Sequence, residues 1–238
     1  MTKDTALVVV DMLYDFIDGS LACQEADKAV ANTLAYIKAE KPSPILFIRD
    51  HHPENHSSFA AQGGPWPPHC VQGTHGADIH VDLAPYADDD LSFFKGEDPA
   101  TEQYSGFEGR NPAGQSLQEV LRLMEIEKVI VCGIATEYCV RNTAEDLLKA
   151  GFKVSVLQDC LAYVDAEGHK KALEEMASEG IRLIYIIGVG HGGALAHQIG
   201  FHKLVQVSVQ DALGVGRTVA RAQVLYQFVR VQDVVADL

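Results

Sequence analysis

A chain of 238 residues, 47% of them apolar, can bury the core of one domain with an appendage, but it contains no run of about 18 consecutive apolar residues, so a membrane-spanning helix is excluded. Its formal net charge of -14, without a local basic patch, would repel phosphate backbones; nucleic acid is therefore excluded as a partner, and small molecules remain. Five widely spaced cysteines (Cys23, Cys70, Cys132, Cys139, Cys160) fit reduced thiols, and the opening Met1, Thr2, Lys3, Asp4 lacks the marks of an export signal, so a cytoplasmic location is expected.

In chain order, residues 6–11 (ALVVVD) form an apolar run that ends in a carboxylate, and residues 44–50 (PILFIRD) repeat that design; both are predicted to be buried strands. Between them Ala26, Val30, Leu34 and Ile37 recur at helical spacing, and Lys41 and Pro42 end that helix. Residues 51–112 are rich in Pro, Gly, His and Asp, with one short apolar patch at Leu91 to Phe94; so long a loop region in a compact domain is usually functional. Ser116 and Glu119 make a capping box for a helix whose inner face is Leu117, Val120, Leu121 and Met124. Strand 128–134 (KVIVCGI) follows, then a helix lined by Val140, Ala144, Leu147 and Leu148 and closed by Gly151, then strand 152–158 (FKVSVLQ). A helix over 166–179, with Ala172, Leu173 and Met176 inward, precedes a strand at 181–187 (IRLIYII). Strands alternating with helices imply an α/β fold, a three-layer α/β/α sandwich with a mostly parallel central sheet. From Gly188 the alternation stops: residues 188–193 (GVGHGG) form a joint, Val205, Val207 and Val209 alternate with polar residues, and 224–231 (VLYQFVRV) is strand-like. The expected division is a domain at 1–187 and a C-terminal β extension, a β-hairpin or pair of strands, at 188–238.

Six of the ten histidines lie between residues 51 and 80. Asp50 and His52 stand two apart at the end of a strand, so both side chains can face one ion. His69 is a third candidate, its backbone fixed by Pro67 and Pro68. A mixed Asp/His set suits a catalytic Zn, Mn or Fe ion rather than a closed structural site. Asp11 ends the first strand, where parallel sheets place ligands, although a carboxylate there also serves as a helix cap. Cys139 is expected in the first turn of a helix, where the dipole favours a thiolate, although a lone cysteine is also a small inert apolar residue. Lys95 follows an apolar patch, a position equally suited to a snorkelling surface lysine.

Together, DMLYDF (11–16), FFK (93–95) and GIATEYC (133–139), in that order, resemble the isochorismatase-like cysteine hydrolases. DHHPENHSSF (50–59), WPPHC (66–70) and YSGFEG (104–109) resemble the nicotinamidase, or pyrazinamidase, branch of that family, and the likeness runs over about residues 5–187. The resemblance implies hydrolysis of nicotinamide to nicotinate and ammonia through a cysteine thioester, within NAD salvage, with pyrazinamide as a second substrate. The alternative is a related hydrolase of another small amide or carbamoyl compound. Cys139 would be the nucleophile, Asp11 its proton acceptor and Lys95 the cation beside both. The N–H groups of Ala135 and Cys139 would form the oxyanion hole, with a cis Ile134–Ala135 peptide. Asp50, His52 and His69 would hold one divalent transition metal ion (Zn, Mn or Fe), with His56 a further ligand or a group behind them, and the ion would take the pyridine nitrogen. Phe16, Trp66 and Tyr104 would wall the ring, with Ile134 and Tyr138 also against substrate. Leu13, where the family usually carries Gln, and Tyr138 before the cysteine are departures.

An unpaired strand edge is a template for pairing, so the tail predicts a sheet completed within the chain or across a homo-oligomer. Deletion after Ile187 is expected to lower the melting temperature or change the assembly state. Thermal melting and light scattering check this, and no change in either would remove the idea.

Overall fold

The computed structural model describes residues 3–186; the tail strands expected beyond Gly188 lie outside the described residues. Six strands form one sheet in the order β3-β2-β1-β4-β5-β6, and every pairing is parallel. They are β1 (Thr5–Val10), β2 (Ile45–Asp50), β3 (Ser92–Lys95), β4 (Lys128–Gly133), β5 (Lys153–Leu161) and β6 (Arg182–Ile184). β1 is buried at every position, as its unbroken apolar run requires when helices cover both faces of a parallel sheet.

Alternate residues of the strands feed the two faces. On one face Leu7, Val9, Phe47, Ile130 and Cys132 pack with Ala26, Ala29, Val30 and Ile37 of α2 (Ala26–Glu40) and with Phe16 and Ile17 of the short α1 (Tyr14–Ile17). On the other, α3 (Leu117–Leu123), α4 (Arg141–Lys149) and α5 (Ala166–Ser178) contribute Leu117, Leu121, Ala144, Leu147, Ala172 and Met176. Each of the Val, Leu, Ile, Phe and Met side chains taken fully out of water is worth roughly 1.5–3 kcal/mol, which is why the sheet register is well specified. No helix among the described residues is long and apolar enough to cross a membrane.

The expected capping box closes α3: Ser116 Oγ accepts the Glu119 N–H while Glu119 accepts the Ser116 N–H. Met124 is a correction to the expected inner face, because α3 ends at Leu123 and Met124, its C-cap, is 41% exposed. The patch at Leu91 to Phe94 becomes the edge strand β3, paired to β2 with Asp50 opposite Lys95. Around it, residues 51–112 run through short 3-10 turns and isolated bridges such as His52 to Val71 and Phe59 to Trp66. Cys139 lies not in a regular first helical turn but in a π turn, Thr136–Val140, that leads into α4. Such π turns occur chiefly as local insertions at functional sites.

Two features bring the ends of β1 and β4 together. Asp11, directly after β1, has φ 47, and Gly133 at the end of β4 has φ 129. A Cβ on Gly133 would fall on the carbonyl oxygen of Val10, so only glycine lets the two strands approach this closely.

Candidate active site

The strand order reverses between β1 and β4, and ligands of open α/β sheets bind at such a crevice beyond the strands' carboxyl ends. Four neighbouring strands each deliver one group there. Lys95 ends β3, Asp50 ends β2, Asp11 follows β1, and Cys139 sits in the π turn after β4. All four side chains are buried.

Lys95 is their centre. Its Nζ lies 3.0 Å from Asp11 Oδ2 and 3.4 Å from Cys139 Sγ, and it donates to Asp50 Oδ1. The Asp50 N–H donates to Asp11 Oδ1 at 2.9 Å, which joins the two carboxylates through the backbone. Burial works against the ammonium, but Asp11 and Asp50 hold its pKa well above that of an ordinary lysine. The two acids are driven apart. Burial, reinforced by Asp50, pushes Asp11 up to about 6 against the pull of Lys95. For Asp50, burial is overcome by Lys95 and His52, which hold it below the usual carboxylate range. Burial also raises the Cys139 thiol well above its ordinary value; Lys95 opposes this, and Asp11 and Asp50 add to it. Burial thus favours the protonated sulfur, where the sequence suggested a helix-stabilised thiolate, and ligand atoms of Asp11, Asp50 and Cys139 lie within 4.8 Å of one another.

Beside this group Asp50, His52 and His69 converge, each offering one ligand atom, with all three atoms within 4.8 Å of one another. Asp50 Oδ2 faces His52 Nε2 at 3.5 Å and His69 Nε2 at 4.0 Å. Both imidazoles turn Nδ1 to a backbone carbonyl, of Gly96 at 2.9 Å and of Pro67 at 2.8 Å. A carbonyl only accepts, so each Nδ1 carries the proton and each Nε2 offers a lone pair, the orientation that metal-binding histidines take from the groups behind them. Among the described residues, His52 Nε2 is buried without a hydrogen-bond partner. The donor set thus fits a divalent transition ion.

His56 stacks on His52 with ring centroids 4.1 Å apart, but in the opposite tautomer. Its Nε2 bonds the Thr101 carbonyl at 3.2 Å, and its Nδ1 accepts from Ser58 Oγ at 2.7 Å. In this arrangement it stands behind the three candidate ligands rather than among them.

Trp66, Tyr104 and Tyr138 form one half-buried aromatic group: the rings of Trp66 and Tyr104 lie 5.2 and 5.5 Å from that of Tyr138, and Trp66 Nε1 donates to Tyr104 Oη. Phe16 is apart from them, buried with its ring 5.4 Å from that of His69. Ile134 is fully buried and joined to Ala135 by a cis peptide, and Ala135 caps the π turn. Leu13 is fully buried and bridges to Ile79. The backbone carbonyls that orient His52 and His69 had no signal in residue types, because any residue can supply one.

The isochorismatase domain model matches residues 5–186. The chain belongs to the isochorismatase family. It is 38% identical to the nicotinamidase/pyrazinamidase of Mycobacterium tuberculosis over 184 residues, 75% of this chain and 97% of that one. The pyrazinamidase of Pyrococcus horikoshii, solved in complex with zinc, is 45% identical, with a TM-score of 0.70 over 76% of this chain and 99% of that one. PnC1 from L. infantum, solved in complex with nicotinate, is 33% identical, with a TM-score of 0.71 over 78% and 94% of the two chains. The matches to this family cover the strands and loops that carry Asp11, Asp50, Lys95 and Cys139.

Removing Lys95 leaves two buried carboxylates without their cation, and breaking such a pair costs about 3–5 kcal/mol. Lys95→Met is expected to lose stability on that order, whereas Lys95→Met combined with Asp11→Asn should lose less than the sum of the single changes. Denaturant unfolding of the four proteins measures this, and additive losses would mean that the two groups do not share one network.

Proposed function

We propose that the protein is a metal-dependent amidase that hydrolyses nicotinamide to nicotinate and ammonia, and that it also cleaves pyrazinamide. The observation that carries this reading is the juxtaposition of the Cys139, Asp11 and Lys95 group with the Asp50, His52 and His69 cluster, which share Asp50 and lie at one strand-end crevice. The names and bound groups of the family members above support the choice of substrate.

An amide resists attack, so a nucleophile must be activated, the oxyanion met and the leaving amine protonated. Cys139 attacks the carboxamide carbon while its proton passes to Asp11, whose raised proton affinity suits it to receive one. The N–H groups of Ala135 and Cys139 meet the oxygen of the tetrahedral adduct. Asp11 returns the proton to the departing nitrogen, the C–N bond breaks, and ammonia leaves a thioester on sulfur. Asp11 then takes a proton from water, which attacks the thioester carbon; the C–S bond breaks, nicotinate leaves, and the proton returns from Asp11 to the sulfur of Cys139. Lys95 keeps its charge throughout and lowers the cost of negative charge on sulfur and on Asp11.

Asp50, His52 and His69 would hold the metal, with His56 behind them. When bound, a divalent ion supplies a Lewis-acid site for the pyridine nitrogen and so fixes the ring in one orientation. Phe16, Trp66, Tyr104, Ile134 and Tyr138 supply apolar and aromatic walls that exclude water from the acyl group.

Ammonia release from a panel of amides tests this reading. Nicotinamide and pyrazinamide are expected to be cut far faster than benzamide, which lacks the ring nitrogen. Chelator should abolish turnover and zinc restore it. Cys139→Ala should lose more than about a hundredfold in activity with its fold intact. Equal rates on nicotinamide and benzamide, or a preference for carbamoyl compounds, would overturn the assignment.

A further inference from the structure

Asp15 is the second acid of the DMLYDF segment, and the reaction above gives it no task. It lies in α1, four residues after Asp11. Its Oδ2 accepts the N–H of Cys70 at 2.6 Å, and its Oδ1 accepts the N–H of Ser20 at 3.2 Å. Two glycines make room for this carboxylate, since a Cβ on Gly19 or on Gly76 would collide with it.

Cys70 directly follows His69 and has φ 47, a left-handed conformation uncommon for a residue with a side chain. Its carbonyl accepts the N–H of His52 at 3.0 Å. On the other side of His69, Ser20 Oγ donates to the Pro68 carbonyl at 2.7 Å, and the Pro67 carbonyl holds His69 Nδ1. The α1 turn therefore grips the chain on both sides of His69, and through Cys70 the grip extends to His52. A carboxylate suits this task because an ionised acceptor makes bonds roughly twice as strong as a neutral one and can accept two N–H groups at once.

We propose that Asp15 is a positioning residue for the metal centre: by holding Cys70 it sets the places of His69 and His52 and ties them to the segment that carries Asp11. The proposal rests on the reading that Asp50, His52 and His69 hold the ion. Asp15→Asn keeps the side chain's shape but presents an NH2 to one of the two N–H groups, so the loop must shift.

The test uses the full-length protein stripped of metal, with Zn2+ affinity measured by competition against a chromophoric chelator and the visible spectrum of bound Co2+ as a report on ligand geometry. Asp15→Asn is expected to weaken Zn2+ binding about 10–100-fold, the usual effect of losing a group that orients metal ligands, and to change the Co2+ spectrum. Ser20→Ala, an exposed change that leaves Asp15 in place, should weaken binding in the same direction by a smaller factor. Asn111→Ala, at a buried residue before α3, should lower the melting temperature without moving either metal readout. An Asp15→Asn protein that melts early yet binds Zn2+ and Co2+ like the wild type would overturn the proposal. If that variant fails to fold, Ser20→Ala with wild-type affinity would overturn it instead. His69→Ala separates the two readings: wild-type Zn2+ binding by that variant defeats the metal-site assignment itself, whereas wild-type binding by the Asp15 and Ser20 variants defeats only the positioning role.

Discussion

Lys95 carries its charge into the interior at the end of β3, where an isolated ammonium would cost several kcal/mol in lost hydration. Asp11 and Asp50 offset that cost, yet one cation cannot neutralise two carboxylates. The remaining negative charge is divided unequally. Asp50, held by Lys95 and facing His52, stays ionised, while Asp11 is left with a raised affinity for a proton. That inequality suits two chemically identical side chains to the separate roles proposed for them, metal ligand and base, as unlike environments do for pairs of acids in hydrolases. In the proposed reaction it also leaves the acceptor for the Cys139 proton close at hand, since atoms of Asp11 and Cys139 lie within 4.8 Å of one another.

The sheet makes this network geometrically unavoidable. Asp50 and Lys95 are paired partners at the ends of adjacent parallel strands, and Asp11 and Gly133 end the two strands on either side of the reversal in strand order. A slip of one residue in β3 would turn Lys95 to the opposite face and leave both acids without a cation, so register and charge pairing enforce each other. Asp50 belongs to both halves of the site: one oxygen meets Lys95 and the other faces the two histidines. The same carboxylate that anchors the lysine also draws positive charge toward His52 Nε2, where a metal ion would satisfy a nitrogen that otherwise has no partner. The proposed catalytic and metal-binding functions thus share a single side chain rather than stand side by side.

Much of this was legible before any coordinates, for identifiable reasons. Unbroken apolar runs ending in Asp11 and Asp50 marked buried parallel strands and placed two acids at their carboxyl ends. The pair Asp50 and His52 followed from strand periodicity, and the pairing of Asp11, Lys95 and Cys139 from family resemblance, since nothing in their spacing brings residues so far apart together. Four features escaped. Met124 was misread because helical periodicity does not announce where α3 ends. The π turn at Cys139 depends on a shift in hydrogen-bond register that residue types do not encode. The thiol state of Cys139 depends on burial by distant segments, and so do the tautomers of His52, His56 and His69, which are set by carbonyls and a hydroxyl outside any motif. The fold was thus readable where it rests on local pattern, and the electrostatics were not, because they arise from tertiary contact.

In the proposed reaction the sulfur of Cys139 becomes covalently acylated, with Asp11 moving the proton and Lys95 holding the charge. Mass spectrometry of the metal-loaded protein, acid-quenched during turnover of nicotinamide and followed by peptide mapping, measures this directly. A nicotinoyl group is expected on the peptide that contains Cys139, appearing with the first ammonia released and lost as nicotinate forms. Sustained ammonia release with that peptide unmodified at every quench time, and with no hydroxamate formed when hydroxylamine is present, would contradict it.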